Sequence, residues 1–119
     1  MTKPKPIDMT ELSRQAQNTK EEAFLQLEKT STYRIGVGAR AKAPADVSFF
    51  MEITVNLPQE GANVDLKLLE NTLTLLKILK ARGYKLTYDS GCISCEATNL
   101  LNPQEESLEI RQLLQEHHL

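Results

Sequence analysis

Seven leucines recur at helical spacing between Asn63 and Arg82 (NVDLKLLENTLTLLKILKAR), and this stretch limits the possible folds more than any other. With about 100° per residue, Leu66, Leu69, Leu73, Leu76, Leu79, Leu68 and Leu75 fill roughly half the helix circumference. Lys67, Glu70, Asn71, Thr74, Lys77 and Arg82 lie opposite. A helix resting on a sheet needs an apolar stripe of only about 100°. The surplus arc predicts a second covering surface, either another helix of the chain or a partner subunit. Asp65 near the start, and Lys77, Lys80 and Arg82 near the end, complement the helix dipole, with Gly83 as the residue that stops the helix. The apolar run is too short and too often broken by charge to span a membrane.

Alternating segments flank this helix. Tyr33 to Ala41 and Val47 to Leu57 each place apolar residues at every second position, which predicts strands with one buried face. Lys42 to Asp46, with Pro44, is a turn between them. After Gly83, Tyr84 to Tyr88 and Cys92 to Thr98 alternate around Asp89-Ser90-Gly91 and form a hairpin. Residues 8–28 are expected to be one helix. It opens on an Asp8/Glu11 capping box behind Ile7 and carries Met9, Leu12, Ala16, Ala23, Phe24 and Leu27, with a weak middle from Gln17 to Glu22. Asn102, Pro103 and Glu105 open the last helix, which runs to about His117.

The expected order is α-β-β-α-β-β-α. It predicts an α+β two-layer sandwich: a mainly antiparallel four-stranded sheet with helices on one face. Residues 1–6 form a disordered basic arm and residues 7–119 a single α+β domain. The outer sheet face is expected to carry Arg34, Gly36, Gly38, Arg40, Phe50, Glu52 and Thr54, with Phe50 its one large apolar residue.

The net charge of −2 supplies no basic field, which argues against nucleic acid. Residues 1–45 carry eight Lys/Arg against five Asp/Glu, and residues 91–119 carry one against five. Two such ends can pair within one chain or between two. The N-terminus lacks an apolar signal segment, so a cytoplasmic, reducing location is expected, and Cys92 and Cys95 are not expected to form a disulfide.

Cys92-Ile-Ser-Cys95 is the sharpest chemical motif. A thiol or zinc site needs both sulfurs on one turn, assisted by Asp89 or the terminal His117 and His118. On a strand, an odd separation sends the two side chains to opposite faces. The expectation is therefore a structural pair and no cofactor, with zinc at Cys92, Cys95 and Asp89 as the alternative. Gly36-Val-Gly38 lacks the remainder of any phosphate loop and is read as a strand with a close approach on its outer face. Arg34, Arg40 and Lys42 form a candidate anion-binding patch, poor in the aromatics that nucleic-acid stacking needs. Ser90 has no nucleophile elbow, and no catalytic constellation is legible.

These features point to a small non-enzymatic protein-interaction or regulatory module. It is expected to form a homodimer, or to bind another protein, through the outer sheet face (Arg34, Phe50, Thr54) or the wide helix arc (Leu68, Leu75, Leu79).

Overall fold

The computed structural model of the protein describes residues 7–19, 22–43 and 46–119, the side chains of residues 19, 42 and 43 excepted. The arm 1–6, the Pro44 turn and the Lys42 side chain lie outside the described residues. The elements are α1 (Met9–Thr19), β1 (Glu22–Lys29), β2 (Tyr33–Ala43), β3 (Asp46–Asn56), α2 (Leu66–Ala81), β4 (Lys85–Asp89), β5 (Cys92–Ala97) and α3 (Pro103–Glu116). The sheet order is β1-β2-β3-β5-β4, and every neighbouring pair is antiparallel.

The fold is α+β as expected, with five strands in place of four. The difference lies in residues 8–28. Helix α1 stops at Thr19, and Glu22 to Lys29 pair with β2 as an edge strand. Ala23, Phe24 and Leu27 satisfy helical spacing, but Ala23, Leu25 and Leu27 also alternate, and a short apolar run cannot settle the choice by periodicity. The polar run from Gln17 marks the break. A bulge at Leu27 shifts the β1 register between Gln26 and Glu28. The carbonyl of Leu27 accepts a hydrogen bond from Arg111 Nη2 at 3.0 Å, which ties the bulge to α3.

Helices α1 and α3 are capped where the sequence places a cap, and Asp65, expected as a first-turn acid, is the N-cap of α2. Asp8 accepts from the Glu11 amide (2.9 Å), Asp65 from the Leu68 amide (3.1 Å) and Asn102 from the Glu105 amide (3.1 Å). Such caps each contribute about 1 kcal/mol. Gly83 ends α2 in the left-handed region at φ 96°.

All three helices pack on one face of the sheet. Helix α1 covers β1 and β2 through Leu12 and Ala16 against Ala23, Val37 and Ala39. Helices α2 and α3 cover β3, β5 and the adjoining part of β2: Leu75, Leu76, Leu79, Ile110 and Leu114 meet Ile35, Met51, Ile53, Val55 and Cys95. Burying each leucine of this size contributes about 2 kcal/mol. No helix among the described residues is long and apolar enough to cross a membrane.

Candidate functional site

The apolar arc of α2 splits into two parts. Leu75, Leu79, Thr72 and Leu76 lie buried on the sheet-facing part. On the other part Leu66 is 70% exposed, Leu73 53% and Leu69 38%. On the helical wheel the buried residues span about 100° and the exposed three the next 60° or so, the surplus that the spacing predicts. Among the described residues nothing of the chain covers that surplus. Leu66, Leu69 and Leu73 follow the three-then-four spacing of a helix–helix seam. With Leu57, Leu76 and Ile93 they line a groove of about 300 Å³, to which only Glu70 and Thr72 add polar groups.

The groove meets the sheet at β5. Ile93 of β5, on its wall, stands in register between Val55 of β3 and Tyr88 of β4. Leu68, expected to lie on the contact arc, is half-buried and lines a second, mixed hollow with Thr32, Asn56, Leu57 and Asp65 rather than the groove. Leu75 and Leu79 are fully buried beneath the helix and are not available to a partner. The arc was legible from sequence. Its exposed half was not, because that depends on where the sheet lies beneath the helix.

The outer sheet face is closed differently from expectation. Phe50 is only 2% exposed and offers no anchor to a partner. Its ring lies over Gly38 and stacks on Phe24, with centroids 6.3 Å apart. Arg40 covers it, with Cζ 4.1 Å from the ring centroid. Phe24 in turn lies over Gly36. A bulky side chain at either glycine position would expel a ring, which explains Gly36-Val-Gly38. Phe24 is not legible as an outer-face residue from sequence, because its spacing to Ala23 and Leu27 also fits a helix.

Arg40 is also bound by two carboxylates. Its Nε donates to Glu22 (3.0 Å) and its Nη1 to Glu96 (2.9 Å), and both bonds raise its pKa, that to Glu96 most. Arg34 shares the outer face and has no ion-pair partner among the described residues. Six strand positions separate it from Arg40, about 20 Å, so the two guanidinium groups do not converge. Thr54 stands beside Arg34 in the β2–β3 register and beside Ser94 in the β3–β5 register, half-buried on a flat polar surface.

The strand keeps the two cysteines apart. Cys92 pairs with Asn56 on the outer face, and its Sγ donates to Asn56 Oδ1 at 3.3 Å. Cys95 pairs with Ile53 and Leu86 on the helix side and is fully buried; burial pushes its thiol up to about 11. Asp89 stands opposite Cys92, and its carboxylate accepts from Ser90 Oγ at 3.0 Å. No three His, Cys, Asp or Glu side chains gather as metal ligands among the described residues. Comparison with protein families, with curated proteins and with solved structures finds no match for this chain.

Proposed function

We propose that this protein is a non-enzymatic, self-associating interaction module whose contact surface is the groove between α2 and β5. One observation carries the reading: Leu66, Leu69 and Leu73 stand exposed in one seam beside Leu57 and Ile93. Exposed leucines scattered singly mean little, whereas a contiguous apolar groove marks an interaction site. A second copy is the simplest occupant, because a helix with this seam spacing fits the same seam on its twin. The outer sheet face is the weaker candidate, since its aromatic rings are already spent on Gly36, Gly38 and Arg40.

The test is the mass of the native assembly. The wild-type chain is expected at twice its denatured mass by native mass spectrometry at micromolar concentration. Leu73→Glu places a carboxylate in the middle of the seam, at a half-exposed position, and is expected to give the single-chain mass with unchanged circular dichroism. A wild-type protein that stays monomeric at all concentrations defeats the reading.

A further inference from the structure

Strand β4 ends the sheet and pairs only with β5 among the described residues. A sheet edge is a template for another strand, and proteins usually blunt it. At the opposite edge β1 carries a bulge at Leu27. The β4 register runs unbroken from Lys85 to Asp89.

The five residues Lys85-Leu86-Thr87-Tyr88-Asp89 are self-complementary. Take a second β4 antiparallel to the first, about a two-fold axis through Thr87. Lys85 then stands opposite Asp89 of the second copy, and this pair occurs twice. Leu86 stands opposite Tyr88 of the second copy, also twice, and Thr87 meets its own copy. Opposite charges face each other, as do the apolar side chains. Each side chain also stays on its own face of the sheet, which only an even register shift permits. A shift of two in either direction loses both charge pairs. Cross-strand pairs of these kinds are what stabilise neighbouring strands. Tyr88, 68% exposed in the single chain, finds its cover there.

The groove of α2 lies on the same side. Tyr88 is beside Ile93, and Ile93 forms its wall. Joining the β4 edges brings the two grooves toward each other across the two-fold axis. We infer that two copies join edge to edge through β4, making one continuous ten-stranded antiparallel sheet, with the two α2 seams opposed over its centre. This geometry rests on the self-association reading above and goes further by naming the edge, the register and the charge pairs.

A charge exchange tests it on the full chain, by sedimentation equilibrium. Lys85 and Asp89 are exposed, so their substitution leaves the core intact. K85E alone and D89K alone each turn two attractive pairs into two repulsive ones. Each is expected to raise the dimer dissociation constant about tenfold or more. An equimolar mixture of the two variants restores both pairs and is expected to recover wild-type affinity as a heterodimer. The double variant K85E/D89K is expected to dimerise like wild type. If each single variant keeps wild-type affinity while Leu73→Glu is monomeric, self-association stands and the β4 geometry is wrong. If the singles weaken but the mixture does not recover, the charges act within the chain and the inference fails. A monomeric wild type overturns both.

Discussion

The ring of Phe50 on β3 lies against the backbone of Gly38 on β2, and the two residues are direct cross-strand partners. A Cβ at position 38 would overlap the ring and crowd the Ala23 carbonyl. At position 36 it would meet the Phe24 ring and the Leu25 carbonyl. The two rings differ in freedom, since Phe50 is buried while Phe24 is 44% exposed at the sheet edge. Gly38→Ala is therefore expected to cost about 2–3 kcal/mol and Gly36→Ala about 1 kcal/mol. Urea unfolding followed by circular dichroism checks the order. Equal costs would mean that the carbonyls, not the rings, exclude a side chain.

Arg40 ties four strands together. From β2 it bonds Glu22 of β1, crosses the Phe50 ring of β3 and bonds Glu96 of β5. Its ion pairs are partly exposed, so their Coulomb part is small and screened by salt. The planar cover over Phe50 is not screened. Arg40→Lys keeps the charge but loses the fork and the stacking, and is expected to cost about 1 kcal/mol. Most of that loss is expected to remain in 1 M NaCl. A loss that disappears in salt would assign the role of Arg40 to its charge alone.

How far the sequence led depended on whether a feature is local. The caps at Asp8 and Asn102 were legible because each cap and its amide lie three residues apart, whereas Asp65 read only as a first-turn acid until the start of α2 at Leu66 was fixed. The four strands outside β1 were legible because apolar residues occupy every second position in each. Strand β1 was not, since its apolar residues fit two periods and its register is set by Val37 and Ala39 on another strand. The ring-over-glycine pairs depend on the same non-local register. For the site, the width of the α2 arc announced apolar surface beyond what the sheet covers. Assigning it to Leu66, Leu69 and Leu73 rather than Leu68, Leu75 and Leu79 required the position of the sheet.

The two thiols are expected to react in sequence. Cys92 lies half-buried on the outer face, while Cys95 is fully buried and its thiol is pushed up to about 11. The thiolate is the reacting form, so burial slows Cys95 both by access and by protonation. With an aromatic disulfide reagent at pH 8, one thiol per chain is expected to react in the native state and the second only on unfolding. Cys92→Ser should abolish the first phase. Two thiols of equal rate would mean that β5 opens readily.

Alkali should weaken the fold, and the direction follows from three buried groups. Tyr84 donates to Glu106 at 2.7 Å and Tyr33 to Glu28 at 2.6 Å. Burial, and then the carboxylate each one bonds, raises both phenols above their ordinary 10.0. Burial alone raises Cys95 from 9.0 to about 11. In each case the folded state holds a proton that the unfolded chain releases. The stability these groups contribute is complete below their unfolded pKa values and is lost as pH rises through the folded ones. The loss begins near pH 9 with Cys95 and steepens past pH 10 as the tyrosines join. Each group adds a slope of up to about 1.4 kcal/mol per pH unit. Urea midpoints at pH 8, 9, 10 and 11 should fall progressively. Tyr84→Phe loses the bond to Glu106, costing about 1 kcal/mol at pH 8. It also removes one ionising group, so its midpoint should fall less steeply above pH 10 than that of wild type. Parallel curves for the two proteins would mean that Tyr84 ionises without resistance from the fold.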